Sequence, residues 1–394
     1  MSNDCAENYC SYRANVCLAS DSRLYSLKVG QLMLKSTTTH AGNTSLIGTL
    51  TFAITVGLAL AGCTNTGAPA AGSAESADTQ QTVKASNGPT CALSDYQGPK
   101  LDLKDAVVGF SQSEKEDNPF RIAETKSITD EAAKIGVKRF IKTNAQSTLS
   151  KQISDIQDLI SQGAQVLIVA PLNSDGFGPA LAAARAKNIP VITIDRQLNA
   201  TACKDYVSFL GSDFAEQGKR AADQLIAGTG GKGNVGILLG TSGNGVTTGR
   251  TKGFVDEMAA KAPAIKIVAQ QTGNFDRSTA QSVTEQLLQA HPDISVIYAE
   301  NDEMGLGAQA AIIAAGKSPG KDIQIYSVDG TKNAVSQIAA GAYNGVIESN
   351  PRFGPLAFST LKTFLSGSPV SQNIVIDDTQ YDSSNAAQKV NSAF

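Results

Sequence analysis

The chain has 394 residues, with 33 Lys and Arg against 36 Asp and Glu, a formal charge of −3 and 41% hydrophobic residues. That length accommodates two domains of ~150 residues each, and 18% charged residues without a basic excess exclude the electrostatic footprint of nucleic-acid binding. Two histidines, His40 and His291, no Trp, and six Cys without metal-ligand spacing offer neither a zinc site nor a His-assisted nucleophile. No metal or cofactor is expected.

Residues 1–32 fit no export signal, because Asp4, Glu7, Asp21 and Arg23 precede the apolar region. Cys5, Cys10 and Cys17 lie here at irregular spacing, and Met33 followed by Leu34 and Lys35 makes a better start, so this segment reads as an over-extended frame. Leu46 to Ala61 then runs without a charge, too short for a span of ~20 residues and suited to a signal peptide over 33–62. Lys35 is its positive region. Leu60, Ala61, Gly62 and Cys63 follow in the pattern of a lipoprotein processing site, which implies acylation of Cys63. Residues 63–103 read as a polar tether, Thr-, Asn-, Gly-, Ala- and Ser-rich as far as Ser86. Without residues 1–62 the chain keeps 332 residues at net charge −4, and Cys91 and Cys203 are its only Cys besides Cys63.

From Lys104 onward apolar runs alternate with amphipathic helical stretches. Strands are predicted at 106–112, 138–144, 164–170, 190–195 and 206–211, then at 234–240, 265–271, 293–300, 323–329 and 343–349. Most are apolar on both faces, as a covered parallel sheet requires. Between them, patterns such as Ile153, Ile156, Leu159 and Ile160 recur at helical spacing. The alternation means an α/β fold with right-handed crossovers. Residues 187–196 and 321–330 repeat one plan, a helix leading into an apolar strand that ends in Asp195 and Asp329 respectively. Ligands of open α/β sheets bind beyond the carboxyl ends of the strands, so two facing sheets would place both carboxylates on the walls of one cleft.

The residues after the strands are biased in kind. Asp117, Asn118, Phe120 and Arg121 follow the first strand, Asp195 and Arg196 the fourth, and Arg250 the sixth. Phe275 and Asp276 follow the seventh, Asn301 and Asp302 the eighth, and Asp329 the ninth. Carboxylates, guanidiniums and amides suit sugar hydroxyls, which both donate and accept, and the C–H face of a sugar ring suits an aromatic plate. With Trp absent, Phe120 and Phe275 are the plates. The competing reading for each Asp or Asn is a helix cap, and for each Arg a solvated surface charge.

The motifs VVGFSQ, FRIAET, ITIDR (192–196), TTGRTKGF (247–254), GNFDRS (273–278), ENDEMGLGA (300–308), SVDGTKNA (327–334) and VIESNP (346–351) carry a family resemblance. From about Ala106 to Ile376 the chain resembles the type I periplasmic sugar-binding proteins of ABC importers, the ribose-binding group, and within it the galactofuranose- and fructose-binding members. The resemblance implies two doubly wound parallel-sheet lobes joined by a three-stranded hinge, one lobe at 104–212 plus 351–368 and the other at 213–350 plus 369–382. It implies ligand contacts at Asp117, Asn118, Phe120, Arg121, Asp195, Arg196, Arg250, Phe275, Asn301 and Asp329. Glu348 stands where the ribose type has an amide, and Arg121 where it has a second aromatic; both departures point to a furanose. The same topology puts Cys91 and Cys203 at one edge of the first sheet, opposite the cleft, as candidates for a disulfide.

The stretch 228–233 lacks the spacing of a phosphate loop and reads as a helix-ending turn. The stretch 240–245 reads as making room for close ligand approach. A glycosidase built on Asp195 and Asp329 is weakened because converging arginines would keep both ionised, and a transcription factor because no helix-turn-helix precedes the first strand. The reading is a monomeric, lipid-anchored extracytoplasmic receptor for a monosaccharide in furanose form, such as galactofuranose or fructose, serving an ABC permease and its ATPase. The alternative is a sensor subunit signalling to a membrane kinase or chemoreceptor.

Overall fold

The computed structural model describes residues 81–84 and 88–394. The expected extension, signal peptide and Cys63 lie outside the described residues. All ten predicted strands form. In chain order the first group is β1 (Thr90–Cys91), β2 (Val107–Gln112), β3 (Arg139–Asn144), β4 (Val166–Val169), β5 (Val191–Ile194) and β6 (Ser208–Gly211). The second is β7 (Gly233–Leu239), β8 (Ile265–Thr272), β9 (Val296–Ala299), β10 (Gln324–Asp329) and β11 (Gly345–Glu348). Three short strands follow, β12 (Val370–Ser371), β13 (Asn373–Val375) and β14 (Gln380–Asp382).

Twelve of these build two six-stranded sheets, ordered β13-β6-β5-β4-β2-β3 and β14-β11-β10-β9-β7-β8, parallel throughout except for β14, which runs antiparallel to β11, while β1 and β12 pair antiparallel by themselves. Each six-stranded sheet is a doubly wound α/β lobe. Every residue of β4 and β5 is buried because helices cover both faces. Ile128, Phe358 and Leu361 pack on one side of the first sheet, Ile156, Leu159 and Leu181 on the other. The chain passes between the sheets after β6, after β11, and between β13 and β14.

Three boundaries differ from expectation. Residues 370–375, assigned to the second lobe, belong to the first: β12 pairs with β1 and β13 lies parallel to β6, so the third crossing falls at 376–379. The backbone partners on the open edge of β6 explain the shift, since a strand laid there satisfies donors and acceptors that would otherwise be lost. Residues 88–103, read as tether, are built into the first lobe, with Cys91, Leu93, Tyr96 and Leu103 in its core. Residues beyond 382 continue the second lobe, where Ala386 and Ala393 are buried. Cys91 and Cys203 are joined by a disulfide, S–S 2.07 Å.

Six of the helices after the strands begin on side-chain caps. Asn118 accepts from the Arg121 N–H ahead of Pro119, and Asp213, Asn244, Asp276, Asn301 and Thr331 cap their helices in the same way. Each cap satisfies an orphan donor of the first turn. Helices Phe214–Thr229 and Gly245–Lys261 lie backbone against backbone: a Cβ on Gly218 would stand 2.1 Å from the Arg250 carbonyl oxygen, and one on Gly253 1.9 Å from that of Ala215. That close crossing brings the side chains of Gln217 and Arg250 together.

Candidate functional site

Asn118, Phe120, Arg121, Asp195, Arg196, Arg250, Phe275, Asn301 and Asp329 converge on one cavity between the carboxyl ends of the two sheets, with Glu114 and Val246 completing its lining. Its free volume is about 40 Å³, well below the ~300–1,000 Å³ common for small-molecule sites. The lobes meet beside it, where a Cβ on Gly245 would lie 3.4 Å from the Ser174 hydroxyl. Two predicted residues lie elsewhere. Asp117 faces the outer mouth of the cleft with Lys115 and Arg277. Glu348 turns to the hinge, where its carboxylate accepts from the Thr379 N–H at 3.2 Å, the Thr379 hydroxyl at 3.0 Å and the Tyr381 hydroxyl at 3.1 Å. It lines no part of this cavity, and the furanose argument drawn from it finds no support in the geometry.

On the first lobe Glu114 is the centre that sequence reasoning missed. One oxygen pairs with Arg121 Nε and the other with Arg196 Nη2, both at 2.8 Å. Arg121 Nη1 also lies 2.8 Å from Glu124 and from Asp195, while Arg196 Nη1 donates to the Leu172 carbonyl at 3.0 Å. Burial opposes ionisation of Glu114, yet the guanidiniums of Arg196 and Arg121 outweigh it and hold its pKa down at about 2. Its only signal in the sequence was its place, just beyond β2. Glu124, behind Arg121, is pushed the other way by burial, to about 7.

On the second lobe Arg250 Nε donates to Gln217 Oε1 at 3.0 Å, Nη1 to the Glu300 carbonyl, and Nη2 lies 3.4 Å from Asp329. Burial drives the pKa of Asp329 well up, against the opposing guanidiniums of Arg250 and Arg121. That direction is opposite to the one expected for a cleft aspartate flanked by arginines. Asn301 and Asn118 each cap a helix and line the cavity at once, so the cap reading and the ligand reading are compatible. Asp195 (φ 64°), Phe275 (φ 59°) and Asp329 (φ 137°) all adopt positive φ; non-Gly residues are held there only where surrounding structure compels it. Gly240, read from sequence as room for a ligand, instead makes room for Phe275: a Cβ there would sit 2.0 Å from the ring.

A family model described as "Periplasmic binding protein domain" matches residues 108–369. The chain belongs to this family. The ribose import binding protein of Bacillus subtilis is 37% identical over 273 residues, 69% of this chain and 85% of that protein. Among family members of known structure, a galactofuranose-binding protein superposes with a TM-score of 0.70 at 32% identity, covering 73% of this chain and 98% of the other. A Mycobacterium smegmatis protein in complex with β-D-fucofuranose gives 0.68 at 36%, covering 72% and 93%.

Proposed function

We propose that this chain is an extracytoplasmic receptor that closes two hinged lobes around one neutral monosaccharide in furanose form, such as galactofuranose or fructose, for uptake by an ABC permease and its ATPase. The carrying observation is the pairing of guanidiniums with carboxyl groups at the cavity. Three guanidiniums, Arg121, Arg196 and Arg250, are matched by Glu114, Asp195 and Asp329. A balanced ring of donors and acceptors between Phe120 and Phe275 fits a polyol better than an ion. Arg121 in place of a second aromatic favours the furanose, as do the relatives named for galactofuranose and fucofuranose. A ligand touching both walls only when the cleft is shut shifts the population towards closure. The relatives are binding proteins, which supports binding without turnover. Export through the 33–62 signal and a lipid on Cys63 would hold a monomer at the outer face of the membrane.

The test is a thermal-shift panel of galactose, arabinose, fructose, ribose, xylose and inositol. A ligand at ~100 times its Kd adds about 2.7 kcal/mol, which moves Tm by roughly 5 °C in a protein this size. The ring form of the bound sugar is then read from the anomeric carbon shift of a 13C-labelled sample. No shift with any of the six would refute the receptor reading; a bound pyranose would refute the furanose preference alone.

A further inference from the structure

One buried side chain bonds to two of the three crossings between the lobes and lies just after the other. Gln217, 1% exposed, lies in the helix Phe214–Thr229 that opens directly after the first crossing. Its Nε2 donates to Asp378 Oδ2 on the third crossing at 2.8 Å and to the Glu348 carbonyl, where the second crossing begins, at 3.3 Å. The other Asp378 oxygen accepts from the Ser212 hydroxyl on the first crossing at 3.1 Å. The opposite end of the same amide, Oε1, accepts from Arg250 Nε at 3.0 Å. Gln217 is not among the residues lining the cavity, whereas Arg250 is.

The partners dictate which way the amide points. A carbonyl only accepts and a guanidinium only donates, so the NH2 must face the hinge and the oxygen must face Arg250. A Glu here would set an anion against Asp378 and the Glu348 carbonyl. A Leu would leave Arg250 Nε and Asp378 buried without this partner, which costs more than the bond itself is worth.

We infer that Gln217 is a positioning residue that couples the state of the hinge to the orientation of Arg250 in the ligand cavity. Its donors are satisfied together only while the second and third crossings hold this mutual arrangement, and that arrangement holds the amide oxygen on Arg250. The coupling is reciprocal: a ligand that fixes Arg250 stabilises the same hinge geometry by the same free energy. The inference rests on the receptor reading above.

The experiment titrates D-galactose, D-fructose, L-arabinose and D-ribose calorimetrically into the full-length protein and continues with whichever binds. Asp378→Leu keeps roughly the size and removes the acceptor, so the Gln217 NH2 loses its partner on the third crossing. Gln217→Leu removes the link outright. Each single variant is expected to weaken sugar binding tenfold or more, and the double variant to be no weaker than Gln217→Leu alone, because both cut one chain. Tm is followed in parallel, since a merely structural role would lower Tm and leave affinity unchanged. Should Gln217→Leu fail to fold, Asp378→Leu carries the test by itself. Affinity within twofold of the unaltered protein in Asp378→Leu, or losses that multiply in the double variant, would overturn the coupling. If the unaltered protein binds none of the four sugars, the receptor reading fails and the coupling falls with it.

Discussion

Replacing Glu114 by Gln removes the charge that ties Arg121 and Arg196 together while keeping the shape of the side chain. Glu114 is 17% exposed and its pKa is held at about 2 against an ordinary 4.5, and each pKa unit corresponds to about 1.4 kcal/mol of preference for the ionised form. The carboxylate therefore contributes about 3 kcal/mol at neutral pH, and the variant additionally turns an amide donor toward a guanidinium. Over the roughly 300 described residues, with an unfolding entropy near 2 cal/mol/K each, that loss lowers Tm by about 5 °C. The sign with pH follows from a depressed folded-state pKa: the contribution is complete above 4.5 and is lost as pH falls through about 2. Scanning calorimetry at pH 7 and at pH 3 is the assay, and the Tm gap between the two proteins should narrow at the lower pH. Sugar affinity should fall ~10–100-fold, the worth of one charge-assisted hydrogen bond, as Arg121 and Arg196 lose their common anchor. A gap that is constant with pH, or a full-affinity variant, would refute the role given to Glu114.

Reduction of the Cys91–Cys203 disulfide, which closes a 112-residue separation, should cost about 5 kcal/mol through the entropy of the unfolded chain. Calorimetry with and without dithiothreitol should show a Tm lower by roughly 8 °C, and coincident melts would count against the bridge. Burial raises Glu300 to about 7, as it does Glu124 and Asp378. Stability from such groups is complete below their unfolded pKa and is lost as pH rises through about 7, so Tm should decline from pH 5 to pH 8. Glu300→Gln keeps an acceptor for the Gly240 N–H and should flatten that decline by about 3 kcal/mol at pH 8; parallel curves would contradict it. Gly253→Ala puts a methyl group against the Ala215 backbone and should cost ~1–3 kcal/mol or more. It should also weaken sugar binding, because the helix that carries Arg250 must move; urea titration and calorimetry read the two effects, and an unchanged variant would show the crossing to be slack.

The sequence by itself determined the elements and most of the cavity. Apolar runs such as Val166–Val169, the caps Asn118 and Asn301, and the pair Asp195 and Asp329 are short-range signals, because strand burial and helix capping are settled within a few residues. The tertiary structure alone decided what those residues touch. Glu114 and Arg196 are 82 positions apart, and nothing local marks that carboxylate as an anchor. Glu348 sits on a strand end like its neighbours, yet Thr379 from the third crossing and Tyr381 of β14 draw it to the hinge. Residues 370–375 left the lobe expected of them because the edge of β6 had open backbone partners, and Gly240 serves a Phe275 ring folded back from another loop. Charge pairs and sheet edges are completed by whatever the fold brings within ~3 Å, so their partners become known only once the chain has closed on itself.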